Sequence, residues 1–124
     1  MKKNRLFRSF IYAFQGIRHV FGTEANMKIH LIFTFLVIVC GLIFRISNVE
    51  WMFCLLSFGL VISMEMMNTA IEKLVDYLSP EFNAMAGNIK DIAAGAVLIS
   101  AVFAALTGLI IFVPKGWIFI TQLL

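Results

Sequence analysis

Glu65-Met66-Met67-Asn68-Thr69-Ala70-Ile71-Glu72-Lys73-Leu74-Val75-Asp76 follows directly on fourteen uncharged residues, Trp51 to Met64. On a helix, Glu65, Asn68, Glu72 and Asp76 fall within about 80° of one another and form a single polar stripe. Carboxylates on a membrane helix are costly to keep there, and an ionisable residue at membrane depth marks a functional site. The rest of the chain is organised around this stripe.

The 124 residues are 61% hydrophobic and only 14% charged, and mean hydropathy is +0.95. A soluble domain is nearer half apolar and a quarter charged. The expected class is therefore an all-α integral membrane protein, one domain over residues 1–124. The net charge of +3 comes from basic residues flanking apolar spans, which argues against nucleic acid as a partner. Cys40 and Cys54 both lie in apolar runs and read as small core residues, since two such thiols make no disulfide framework. The N-terminus lacks a short apolar stretch followed by a small-residue cleavage site, so no signal peptide is expected.

Three uncharged runs stand out: Ile29 to Phe44, Trp51 to Met64 and Ile92 to Val113. Crossing the hydrocarbon core takes about 20 residues, so the third run suffices alone. The first two, at about 24 Å and 21 Å, must carry polar residues into the membrane boundary. The expected spans are about 27–46, 50–78 and 89–114. Lys2, Lys3, Arg5, Arg8, Arg18, Lys28, Lys73 and Lys90 fall on one side, and Arg45 and Lys115 on the other. That asymmetry predicts a multi-pass membrane protein with its N-terminus and the segment from Tyr77 to Lys90 cytoplasmic. Trp51 and Trp117 then lie at the outer interface.

Phe7, Phe10, Phe14, Ile17 and Phe21 repeat at helical spacing, with Arg5, Arg8, Tyr12, Gln15, Arg18 and His19 on other faces. This predicts an amphipathic surface helix over about 4–21 with a basic side, suited to an anionic leaflet. Gly22 is expected to break it, and Thr23 to cap the next helix with Glu24 in its first turn. Ser79-Pro80 ends a helix or starts a turn. Asn88 is the expected cap of the last helix, which puts Lys90 and Asp91 in its first turn.

Glu24, Glu65, Asn68, Glu72, Asp76, Glu81, Lys90 and Asp91, with Arg5 and Arg18, therefore gather at the cytoplasmic boundary. Carboxylates with open positions suit a hard divalent ion such as Mg²⁺, which often arrives with phosphates. A nearby lysine neutralises phosphate charge. These are parts for phosphoryl transfer to an acceptor dissolved in the membrane. No GxxxxGK[ST], GxGxxG or kinase catalytic loop is present. A small carboxylate-coupled transporter and a structural subunit remain alternatives. A transporter more naturally places its carboxylate mid-span, whereas Glu65 lies at the cytoplasmic end.

Glu65-x-x-Asn68-Thr69-Ala70-Ile71-Glu72-x-x-Val75-Asp76, followed by Lys90-Asp91-x-Ala93-Ala94-x-Ala96-Val97, resembles the signature of the small bacterial integral-membrane diacylglycerol kinase / undecaprenol kinase family. The resemblance covers nearly the whole chain, including the Gly16-Ile17-Arg18 step and Glu24 ahead of the first span. It implies a homotrimer with three transmembrane helices and one surface helix per subunit, and active sites between neighbouring subunits. It also implies ATP with Mg²⁺ as donor and a lipid alcohol as acceptor. On that resemblance Glu65 matches the general base, and Glu24 and Glu72 match metal ligands that also approach the ATP phosphates. Lys90 matches the phosphate-binding lysine, with Asp91 beside it at the nucleotide. Arg5, Tyr12 and the segment Glu81, Phe82 and Asn83 match nucleotide contacts. Asn83 stands where some members carry a histidine. Asn68, Asp76 and Arg18 occupy supporting positions.

Nothing in the motif separates the two lipid acceptors, because both offer a primary hydroxyl at the interface. The Gly-Ile-Arg-His, Ala-Asn-x-Lys-Ile-His and Asn-Thr-Ala-Ile-Glu stretches resemble the Gram-positive branch, which implies undecaprenol and recycling of a carrier lipid, with diacylglycerol as the alternative. Outside the motif, Lys73 reads as a snorkelling surface charge. His30 reads as a packing or substrate-groove residue rather than a metal ligand. Met64, Met66 and Met67 read as packing residues. The small residues Ala93, Ala94, Gly95, Ala96, Ala101, Ala104 and Ala105 suit close helix contact.

Overall fold

The computed structural model describes residues 2–124 and is all-helical: α1 (Lys2–Thr23), α2 (Ala25–Phe44), α3 (Asn48–Leu78) and α4 (Ala84–Leu123). Helices α2, α3 and α4 are each long and apolar enough to cross a membrane. At 1.5 Å per residue they measure about 30, 46 and 60 Å, so α3 and α4 outrun a hydrocarbon core of about 30 Å. The excess of α3 is the stretch that carries the polar stripe. Helices α3 and α4 pack side by side, and α2 lies against both, while α1 meets α2 and α3. Little of each span is buried within one chain, at most 17% of its most apolar window. The apolar surface of the three spans is therefore left for lipid or for other protein.

The break between α1 and α2 falls at Glu24, which is extended (φ −96°, ψ 118°), rather than at Gly22. Gly22 stays helical because its neighbours supply regular hydrogen bonds, and the Glu24 N–H still donates to Val20 O at 3.0 Å. Thr23 does not cap α2, since its hydroxyl donates back to His19 O at 2.7 Å. Glu24 holds the cap position without a side-chain capping bond, so the helix end does not occupy its carboxylate. Asn88 does not cap the last helix either. Asn83 does, with its Oδ1 accepting from Met85 N and Ala86 N. The helix therefore starts before Asn88, and Lys90 and Asp91 sit in its second turn. At its other end α4 runs through Pro114 to Leu123, beyond the expected limit. A proline within a membrane helix is tolerated where neighbours re-satisfy the freed backbone.

The α2–α3 hairpin is tightly specified. Arg45 takes the left-handed conformation (φ 53°) and closes α2. Ser47 and Glu50 form a capping box: Glu50 N donates to Ser47 Oγ at 3.2 Å, and Ser47 N donates to Glu50 Oε1 at 2.9 Å. The Ser47-x-x-Glu50 spacing is legible in the sequence. Lys115 of α4 adds an ion pair to Glu50 Oε1 at 3.2 Å. Beneath this turn lies a core cluster, Ile46, Cys54 and Ile111, covered by Val37, Phe44, Trp51, Phe58 and Phe112. Gly41 admits the Trp51 ring so closely that a Cβ there would lie 2.6 Å from Cη2. This packed turn lies at the end of the bundle opposite the stripe, and the stripe's own end buries Val20, Met27, Val75 and Ala93.

Candidate active site

Burial changes steadily along the stripe. Glu65 is 3% exposed and Asn68 is 7% exposed, Glu72 is half-buried and Asp76 is exposed. The stripe begins inside the bundle and ends clear of it, because α3 continues past the apolar parts of its neighbours. Asn68 Nδ2 donates to Glu72 Oε1 at 3.2 Å, which orients both side chains. Asn68 Oδ1 is buried with no hydrogen-bond partner. Such an orphan costs about 1–3 kcal/mol, which a ligand or water arriving there removes.

From α2, His30 faces Glu65, with Nε2 3.6 Å from Oε2. His30 also lines a groove of about 530 Å³ between α2, α3 and α4. The groove wall is mainly apolar, with Phe33, Val37, Phe58, Val61 and Ala104 among its residues. Thr34 on that wall spends its hydroxyl on His30 O at 2.8 Å, so the groove offers few polar groups. His30 is the basic side chain of this wall and stands at the end nearest the stripe.

Two further pairs gather beyond Glu65. Lys90 of α4 is paired with the Asp76 carboxylate of α3. Lys73 lies 3.0 Å from His19 Nε2 and ties α3 to α1. An ammonium has only donors, so the imidazole nitrogen accepts. Lys73 is therefore exposed but engaged, a contact that its position beside the stripe did not announce.

Of the other expected residues, Arg5, Tyr12, Arg18, Glu81, Phe82, Asn83 and Asp91 are all exposed. Phe82 is 96% exposed, and Asn83 Oδ1 is committed to the α4 cap. None of these shares a hydrogen bond or ion pair with Glu65, Glu72 or Lys90 among the described contacts. One chain thus assembles the Glu65–His30, Asn68–Glu72 and Asp76–Lys90 pairs, and among the described residues no hydrogen bond or ion pair joins them to the other expected nucleotide contacts.

The donors available for a metal are oxygen-only, Glu72 on the stripe and Glu24 at the α1–α2 junction. Among the described residues no three His, Cys, Asp or Glu side chains converge on one point. Mg²⁺ does not require that. It is held by one or two carboxylates together with waters and substrate phosphates, so the donor chemistry fits.

The contact between His30 and Glu65 is what sequence reasoning missed. Its only sequence signal is a titratable residue within an otherwise uncharged run. Spacing rules place residues of one helix on a face, but they do not say which residue of another helix comes opposite.

These features define a multi-pass membrane protein with a buried carboxylate, Glu65, beside His30 at the head of an apolar groove. The model of the family described as prokaryotic diacylglycerol kinase matches residues 11–112. The chain is 41% identical to the undecaprenol kinase of Bacillus subtilis over 112 residues, 90% of this chain and 91% of the relative. It is 31% identical to the diacylglycerol kinase of Helicobacter pylori over 101 residues, 82% and 79% of the two chains. The diacylglycerol kinase of Escherichia coli K12 is 27% identical over 103 residues, 83% and 84%. The chain belongs to the prokaryotic diacylglycerol kinase family, and it is a lipid kinase.

Proposed function

We propose that this chain transfers the γ-phosphoryl group of ATP to the hydroxyl of undecaprenol at the cytoplasmic face of a bacterial plasma membrane. The observation that carries the reading is the buried Glu65 carboxylate, 3% exposed on a membrane helix. It stands beside His30, at the head of an apolar groove. A lipid tail suits the groove, and the hydroxyl then arrives at the depth of Glu65. Undecaprenol is favoured over diacylglycerol by the 41% identity to the Bacillus subtilis undecaprenol kinase. Diacylglycerol is the second reading, favoured by the family description and the other relatives.

Phosphoryl transfer depends mainly on positioning and charge neutralisation. Glu65 accepts the proton of the acceptor hydroxyl as its oxygen attacks the γ-phosphorus. Lys90, held at the site by Asp76, turns its ammonium to the phosphate oxygens. Glu24 and Glu72 would hold Mg²⁺, which would supply neutralisation of phosphate charge at the donor. Asn68 fixes Glu72 through its amide. Arg5, Tyr12, Glu81, Phe82, Asn83 and Asp91 receive the nucleotide, with Arg18 supporting the site. The dispersal of these residues over one chain supports a homotrimer in which a neighbouring subunit completes each site. So does the exposure of the three spans. The asymmetry of basic residues supports a cytoplasmic N-terminus and active site. The alternating Phe and Arg pattern of α1 supports an amphipathic helix at the membrane surface, with spans following α2, α3 and the apolar part of α4.

The test is transfer of label from γ-labelled ATP by the purified protein in detergent, with undecaprenol and diacylglycerol in parallel, with and without Mg²⁺. Mg²⁺-dependent labelling of undecaprenol at the higher rate is expected. A higher rate on diacylglycerol reverses the acceptor. No transfer to either lipid from folded protein overturns the reading.

A further inference from the structure

We infer that His30 is the proton-relay residue of this site, carrying the acceptor's proton away from Glu65 after each turnover. This rests on the reading of Glu65 as the base. In one cycle the acceptor O–H bond breaks and its proton goes to Glu65. A bond forms between the acceptor oxygen and phosphorus, and the bond from phosphorus to the departing ADP oxygen breaks. Glu65 is then protonated and must lose that proton before the next acceptor reacts.

The structure leaves Glu65 little direct access to water, with its side chain only 4% exposed, whereas the His30 side chain is 21% exposed. The Nε2–Oε2 separation of 3.6 Å lies just outside hydrogen-bond range. An approach of about half an ångström closes it. The neighbours of Glu65 on the stripe do not substitute. Asn68 and Thr69 are buried and neutral, and the Asn68 amide is spent on Glu72. From α4, the groove that His30 lines is walled by Ala101, Ala104, Ala105, Thr107, Gly108, Leu109 and Phe112, none of which titrates. In α1, His19 is engaged with Lys73. An imidazole takes a proton on one ring nitrogen and releases one from the other, which suits it to shuttle protons. On α2, His30 lies 3.6 Å from the buried carboxylate and keeps a fifth of its side chain exposed, so the imidazole takes the proton from Glu65 and releases one to water, leaving the carboxylate ionised for the next acceptor.

The test compares His30→Gln and His30→Ala with the parent protein, in detergent, with and without added imidazole. Glutamine retains a polar side chain but cannot relay a proton. In both variants kcat is expected to fall at least tenfold, with KM for ATP and for lipid within twofold of the parent. Added imidazole is expected to accelerate both variants in proportion to its concentration and to leave the parent unchanged. A His30→Gln protein that turns over like the parent overturns the relay, and so does a slow one that imidazole does not accelerate. A Glu65→Gln control separates the two claims. If that control is active, the base assignment itself fails. If it is inactive in imidazole while His30→Gln is fast, the relay alone fails.

Discussion

Asp76 on α3 holds the ammonium of Lys90 on α4, across the two longest helices and at the end of the bundle where the polar stripe leaves the protein. The two side chains are partly exposed, at 63% for Asp76 and 37% for Lys90. A pair this wet contributes at most about 1 kcal/mol to stability. Its value lies in where it puts the lysine.

Asp76→Asn should therefore cost activity rather than fold. The thermal midpoint in detergent should stay within a few degrees of the parent. KM for ATP should rise about three- to tenfold as the lysine loses its orientation, a loss of about 0.7–1.4 kcal/mol in binding. Kinetics at varied ATP, beside a thermal melt, check both parts. An unchanged KM would remove Asp76 from the nucleotide site.

Glu65→Gln keeps the shape of a buried side chain and removes its ability to take a proton. Turnover should drop by at least about two orders of magnitude, the usual contribution of a general base. Folding and ATP binding should persist, because exchanging a buried carboxylate for an isosteric amide leaves no unpaired charge. Single-turnover labelling and ATP binding to the same sample test this together. Parent-like turnover would falsify the role of Glu65 as base.

Glu24 has no capping bond to spend its carboxylate on, and Glu72 is oriented by Asn68. If these two hold the metal, Glu24→Ala and Glu72→Ala should each shift the Mg²⁺ titration of activity to about tenfold higher concentration or beyond. An Mg²⁺ curve that superimposes on the parent's in either variant removes that residue from the metal site.

At the other end of the bundle, Gly41→Ala places a Cβ 2.6 Å from Trp51 Cη2. The indole is held in the core between Ile46, Cys54 and Ile111. Overpacking there should destabilise by about 1–3 kcal/mol, read as a lowered thermal midpoint. Adding Trp51→Leu should recover part of that loss, because the two sites share one volume. Simple addition of the two effects would show that the loss in Gly41→Ala does not come from contact with the Trp51 ring.

The helices themselves were legible in the sequence for a local reason. Hydropathy over about 20 residues sets which segments enter the membrane, and the 3.6-residue period sets which side chains share a face. The Glu65 to Asp76 stripe needed nothing more than that, and its motif also carried the family. Helix ends were read less well. Thr23 and Asn88 both have the chemistry of a cap, but Thr23 turned its hydroxyl back to His19 and Asn83 capped α4 five positions earlier than Asn88. Several residues near a helix start compete for the same backbone N–H groups, and the winner depends on where the chain arrives from.

Hydropathy, periodicity and motif along the chain suffice for an all-helical membrane protein, the polar stripe and the residue types of a lipid kinase. Helix packing brings His30 opposite Glu65, Asp76 to Lys90 and Lys73 to His19. Each of those contacts crosses from one helix to another. Which faces meet is set by how the helices pack, including the closeness that Gly41 allows Trp51 and the turn fixed by Ser47, Glu50 and Lys115. Periodicity along one helix carries no information about the rotation of its neighbour.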